Sequence, residues 1–293
     1  MIGFLLVDKP QGWTSHDVVA KVRGATRIKK VGHAGTLDPM ATGLLVVAIG
    51  RATRLLRFVQ GLPKTYLAHA VLGVATDTLD ADGAVLERSP LPVGQDDVES
   101  VLDRFRGPIL QVPPMVSAIK VGGQRLYEMA RRGEEIEREA RPVTIHQLDV
   151  IDFAPSDYPE LAFRVVCSTG TYVRTLADDI GRALGGRAHL DGLRRTSIGS
   201  LSVEDSHSID SIAVAGEATE ALLVDPADAL ADLPSLVVAE NVAEGVRHGV
   251  ALARSSFPDL DDDSHVRVLD EAGRLLAVCK ANGGSIKPEV VLG

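Results

Sequence analysis

Leu44 to Ile49 is an unbroken apolar run, and no feature of this chain restricts its fold more. A strand with one wet face alternates apolar and polar residues, so a continuous run reads as a strand buried on both faces. The run is far shorter than the roughly 18 to 20 apolar residues that a membrane-spanning helix needs. So is Phe4 to Val7, the centre of a second short strand beginning at Gly3. The chain is therefore expected not to cross a bilayer. Its opening residues reach Asp8 and Lys9 with neither a basic stretch nor a long apolar one ahead of them, so no secretory signal is expected, and the cytoplasm is the expected location. The length of 293 residues, 45% hydrophobic and 24% charged, suffices for one large domain and a smaller one.

Helical and strand periods alternate along the rest of the chain. Thr14 or Ser15 can cap a helix whose apolar positions Val18, Val19, Val22 and Ala25 follow helical spacing. Arg51, Arg54 and Arg57 are spaced to share one face of a short helix expected after the apolar run. Tyr66 to Val74 is rich in strand formers, whereas Val98, Val101, Leu102 and Phe105 make the stripe of an amphipathic helix. Alternation at Leu161, Phe163, Val165 and Cys167 predicts a strand. Ser168, Thr169 and Gly170 then turn the chain into a helix with Val173, Leu176, Ala177, Ile180 and Leu184 on its inner side. That connection puts Tyr172 and Arg174 at a helix start just past a strand end, where mixed α/β folds often carry functional groups. Beyond Pro234 come short β-forming runs, Leu236 to Ala239, Val266 to Leu269, Leu275 to Cys279 and Val290 to Leu292, with Asp270 to Gly273 as a hairpin turn. A boundary is therefore expected near residue 230. Cys167 and Cys279 lie far apart, in no metal-ligand spacing, and are expected to be buried thiols.

Charge is unevenly distributed. The formal net charge is −9, but Glu204 to Asp263 alone carries −12, leaving +3 for everything else. Val18 to Phe58 holds Lys21, Arg23, Arg27, Lys29, Lys30, Arg51, Arg54 and Arg57 against the single acid Asp38, a local balance of +7. That stretch is a candidate phosphate-binding surface; most clusters of this kind are simply solvated faces.

Gly32-His33-Ala34-Gly35-Thr36-Leu37-Asp38-Pro39-Met40-Ala41-Thr42-Gly43 separates the first basic helix from the apolar strand. Its glycines allow backbone conformations and close approaches that a Cβ would obstruct, and Pro39 keeps Asp38 out of helical geometry, so the carboxylate is presented from a loop. Read by itself, an Asp-Pro pair in a Gly-rich segment is a turn element. The segment lacks the GK[ST] ending of a Walker A loop, and no HExxH helix exists, so neither a nucleotide-phosphate loop nor a metal is expected.

The same block, Gly32 to Pro39, resembles the catalytic motif of the TruB family of tRNA pseudouridine synthases. Asp8-Lys9-Pro10 with Gly12-Trp13-Thr14-Ser15, Lys64-Thr65-Tyr66, Cys167 to Leu176 and Leu193-Arg194-Arg195 resemble further blocks of that family, in its order. Pro113 to Lys120 and Gly123 to Arg132 are similar to the family's segment that clamps an RNA stem-loop, here placed at about 110–145. The length suits the stand-alone bacterial enzyme rather than its guide-RNA-dependent relatives.

This resemblance implies a mixed α/β (α+β) fold with a mainly antiparallel central sheet and flanking helices over 1–230, and a small β-rich PUA-like domain over 231–293. It implies an isomerase that flips uridine 55 out of the T-loop of tRNA and rejoins the base through C5, without cofactor, metal or guide RNA, and acting as a monomer. By the same resemblance, Asp38 is the essential carboxylate, which can add to the sugar or the uracil or assist proton removal in a glycal route. Arg174 is the arginine that keeps it charged. His33 fills the space left by the flipped base, Tyr66 stacks on the uracil, and Tyr172 and Leu193 line the pocket. Lys9 and Pro10 support the catalytic loop. Lys21, Lys29, Lys30, Arg51, Arg54, Arg57, Arg131 and Arg132 are phosphate-contact candidates. From Pro234 onward six basic residues face nine acidic ones, a poor balance for gripping RNA. Two other readings stay open: an RNA-folding module in which binding rather than chemistry matters, and a glycosidase-like site, for which a second catalytic carboxylate is lacking.

Overall fold

The computed structural model describes residues 1–117, 120, 121, 124, 125, 129, 132, 134, 136–257 and 260–292. These divide into two compact units, Met1–Asp38, Gly43–Gly61 and Gly199–Gly293 in one, Pro39–Thr42 and Leu62–Ile198 in the other. The fold is mixed α/β with a C-terminal β-rich domain. Among the described residues no helix is long and apolar enough to cross a membrane.

In the first unit the apolar run is the strand Thr42–Ile49, and it is buried as its composition predicts, with Leu44 to Ile49 all 0% exposed. It pairs antiparallel with Gly3–Lys9 and with the short strand Val31–His33. The helix Ser15–Thr26 closes one face: Val18, Val19 and Val22 pack with Leu5, Val7, Leu45, Val47 and Ile49 in one cluster. Thr14 is the N-cap and forms a capping box with Asp17, each accepting from the other's backbone N–H. After the strand, a 3-10 turn Gly50–Leu55 runs into the helix Leu56–Gly61.

The C-terminal domain is a five-stranded sheet in the order Ser235–Val237, His265–Leu269, Leu275–Asn282, Ser285–Val291, Leu252–Ala253. The helix Glu240–Arg247 contributes Ala243 and Val246 to its own core. The predicted turn is present: Gly273 has φ +81°, and the Asp270 carboxylate accepts from the backbone N–H of Ala272 and of Arg274.

In the second unit antiparallel strands run in the order Ala188–Ile198, Lys64–Leu72, Glu160–Cys167, Arg141–Ala154, Gly107–Gln111. Three of these, Gly107–Gln111, Arg141–Ala154 and Ala188–Ile198, lie where sequence periodicity predicted nothing. The last two carry register shifts that break the alternation a strand would otherwise show. The amphipathic helix Gln95–Leu102 and the helix Val173–Ala183 bury Val98, Leu102, Leu176 and Ile180. Gly73, at φ +80°, ends the strand of Tyr66 two residues earlier than its composition suggests.

Candidate active site

In the first unit, the loop that carries Asp38 is fixed from both ends. Its first residues, Val31–His33, hydrogen-bond into the buried strand, and Ala34 N–H continues the ladder to Val46 O at 2.9 Å. At the other end, the hydroxyl of Ser15, 1% exposed, accepts from Leu37 N–H at 2.9 Å and donates to Leu37 O at 3.2 Å. One side chain thus pairs both backbone polar groups of Leu37, the residue before Asp38, and Pro39 restricts the backbone of Asp38 itself. Lys9 is 0% exposed and donates to Trp13 O at 2.7 Å and Pro10 O at 2.9 Å, which ties down the turn leading to Ser15. His33 lies on this loop, its ring edge-on to His16 at 5.6 Å.

The second unit holds Tyr66, Leu193, Tyr172 and Arg174. Register places Tyr66 opposite Arg195 on one side and Val165 on the other, and Leu193 opposite Ala68. Tyr66 and Leu193 are buried, 7% and 9% exposed. Lys64 occupies the same pleat face as Tyr66, two residues before it, and donates to Leu62 O at 2.8 Å. Burial, followed by the charge of Arg195, lowers its pKa to about 8.

Arg174 is not a surface charge at a helix start. It is 3% exposed, and its guanidinium donates to Thr78 O at 2.8 Å, Val116 O at 2.8 Å and the Asp80 carboxylate at 3.1 Å. The resemblance points to Asp38 as its partner; within its own unit the arginine is paired with Asp80. Asp80 is itself built in, accepting from Thr78 Oγ1 at 2.5 Å and from Asp82 N–H at 3.2 Å. Leu79 at φ +62° makes the turn that aims it. Asp80 was missed by sequence reading; its only signal was the polar run Asp77 to Gly83, which reads as a plain turn.

The connection from strand to helix is stapled on each side. Ser168 N–H donates to Thr144 O at 2.8 Å while its Oγ accepts from Thr144 N–H at 2.9 Å. Gln111 holds Tyr172 in the same reciprocal way, accepting from its N–H at 2.7 Å and donating to its C=O at 3.1 Å. Cys167, where the strand ends, is buried, and its thiol is pushed up to about 11.

The phosphate candidates fall into groups. Lys21, Lys29 and Lys30 are exposed on the first unit. Arg51, Arg54 and Arg57 are exposed too and share a face, but that face meets the end of the C-terminal domain: Arg51 donates to Leu292 O at 3.3 Å, Arg54 to Val291 O at 2.8 Å and Arg57 to the Glu289 carboxylate at 2.7 Å. Arg132 is paired with Glu134 at 2.7 Å. Arg131 and most of the clamp segment from 118 to 135 lie outside the described residues.

Three family models match successive parts of the chain from residue 23 onward. Residues 23–173 match the N-terminal domain of the TruB family pseudouridylate synthases, 174–231 the C-terminal domain of tRNA pseudouridylate synthase B, and 233–293 the C-terminal domain of tRNA pseudouridine synthase II. The chain belongs to the TruB family. A TruB relative, tRNA pseudouridine synthase B of Symbiobacterium thermophilum, is 51% identical over 252 residues, covering 86% of this chain and 83% of that protein. The Thermobifida fusca protein of the same name is 44% identical over 99% of this chain and 98% of its own length. Among solved structures, a chain of an H/ACA RNP bound to a substrate RNA containing 2′-deoxyuridine matches with TM-score 0.76 and 25% identity, covering 99% of this chain and 85% of that one. A chain of a Cbf5-Nop10-Gar1 complex matches with TM-score 0.76 and 26% identity, covering 99% and 84%.

Proposed function

We propose that this TruB-family chain is a tRNA pseudouridine synthase that isomerises uridine 55 of the T-loop, working in the cytoplasm as a stand-alone monomer without guide RNA. The observation that carries the reading is near-complete alignment with proteins named tRNA pseudouridine synthase B, at 43 to 51% identity. The anchored Asp38 loop supports it: a residue held at the preceding peptide by Ser15 and at the following one by proline is preorganised for chemistry rather than for a flexible turn.

In this reading the target base leaves its stack, and protein contacts replace the lost stacking. Asp38 is the carboxylate that reacts with the nucleoside or relays its proton. Tyr66 stacks on the uracil, and Tyr172 and Leu193 enclose it. Arg174, immobilised by Asp80 and two backbone carbonyls, supplies a fixed positive charge. His33 takes the place of the extruded base. Lys21, Lys29, Lys30, Arg51, Arg54, Arg57, Arg131 and Arg132 are offered to the phosphates.

Asp38→Asn decides between enzyme and folding module. It should abolish tritium release from C5-labelled uridine in tRNA while tRNA affinity stays within a few-fold. Turnover at the wild-type rate would sink the assignment of Asp38, and release of free uracil would favour a glycosidase.

A further inference from the structure

We propose that Gln111 is a positioning residue of the uridine site, whose amide clamps the Tyr172 peptide and so sets where Tyr172 and Arg174 stand. The inference rests on the functional reading above. Gln111 is 2% exposed at the end of the strand Gly107–Gln111, paired there with Arg141. Both polar atoms of its amide go to one residue of a distant segment: Oε1 accepts from Tyr172 N–H at 2.7 Å, and Nε2 donates to Tyr172 O at 3.1 Å. This is how a neighbouring strand would pair with Tyr172, supplied by a side chain where the chain leaves the sheet. The amide orientation follows from its partners, since the opposite one would set donor against donor and acceptor against acceptor.

Tyr172 is the N-cap of the helix Val173–Ala183, and its own side chain makes no capping hydrogen bond. Its carbonyl also accepts from Leu176 N–H at 3.0 Å, so the clamped peptide is the one from which the helix starts. Arg174 follows in the first turn, committed to three acceptors. A displaced start would pull it off all three. Glutamine alone fits this role: glutamate at neutral pH only accepts, and methionine has the length without either polar atom. Buried backbone N–H and C=O groups left without partners shift to find them, and misplacement by about 1 Å can lower a rate on the order of 100-fold.

The test compares full-length wild type, Gln111→Met and Gln111→Glu in single-turnover tritium release from tRNA, with tRNA affinity measured alongside. Gln111→Met is expected to react about 10 to 100-fold more slowly, with affinity within a few-fold of wild type. Gln111→Glu is expected to be equally slow at pH 8 and to recover at least about tenfold as pH falls toward 5.5, because the protonated carboxyl again donates to Tyr172 O. Gln111→Met should show no such recovery over the same range. A wild-type rate for Gln111→Met, or parallel pH profiles for the two variants, overturns the proposal. If Gln111→Met fails to fold, the acid recovery of Gln111→Glu decides alone. A wild-type chain that released no tritium would instead overturn the functional reading, and this inference with it.

Discussion

Arg174 and Asp80 are both buried, and two charges removed from water are tolerated only while paired and hydrogen-bonded. Deleting one of them should cost more than the pair contributes. Asp80→Ala is expected to lose on the order of 3 kcal/mol of stability in denaturant titrations and to slow pseudouridine formation at least tenfold. Asp80→Asn, which retains a hydrogen-bond acceptor, should lose less of both. Lys64 gives a pH signature of a different sign from most lysines. Its folded pKa of about 8 lies below the ordinary 10.5, so between those values the unfolded chain binds more protons and stability rises with pH. Lys64→Met should remove that rise; an unchanged pH slope in unfolding experiments would show that burial does not shift this amine. At this scale Asp38, Tyr66 and Arg174 stand out in the sequence because they lie in blocks that resemble the family's. Asp80 acts on the Arg174 guanidinium, and Ser15 and Gln111 on the backbone of Leu37 and Tyr172, all far away in the chain, and the sequence around each gives no sign of that contact.

The helices are legible in proportion to their caps and stripes. Ser15–Thr26 has both, and Thr14→Ala should cost about 1 kcal/mol by removing an N-cap. The helix Val173–Ala183 carries Asp178 and Asp179 side by side. Arg182 and Arg187 bind Asp178, at 2.9 and 2.7 Å. Burial, and then the Asp178 charge, raises the Asp179 pKa to about 6. Between 3.8 and 6 the folded chain holds the extra proton, so this group's contribution falls as pH rises, and its full cost is present above 6. Asp179→Asn should therefore stabilise the protein above pH 6, on the order of 1 kcal/mol after solvent screening, and change little below pH 4. Strands were readable where pleat and burial agree, as in Glu160–Cys167, and unreadable in Arg141–Ala154, where shifts between Ile145 and Gln147 and between Val150 and Asp152 break the period.

At the scale of the whole molecule, the arginine face of 51–57 meets two backbone carbonyls and one carboxylate, those of Leu292, Val291 and Glu289, all outside the acidic stretch Glu204 to Asp263. Those arginines were expected on phosphates because periodicity shows which side chains share a face but not what covers it. The two roles separate experimentally. Replacing Arg51, Arg54 and Arg57 with Gln should make residues 231–293 more sensitive to limited proteolysis, as the contact with the last strand is lost. If they also neutralise phosphates, the log-log salt dependence of tRNA binding should flatten by up to about one unit per contact. Enhanced cleavage with an unchanged salt slope would assign them to domain docking alone.

The two cysteines, finally, make the protein its own unfolding gauge. Cys167 lies in one compact unit and Cys279 in the other, both sealed from solvent, with thiols pushed up to about 11 and about 12. Neither can react with a maleimide until its surroundings open, since only an accessible thiolate attacks. The order and rates at which the two sites are alkylated under native conditions therefore rank the opening energies of the two units without any introduced label.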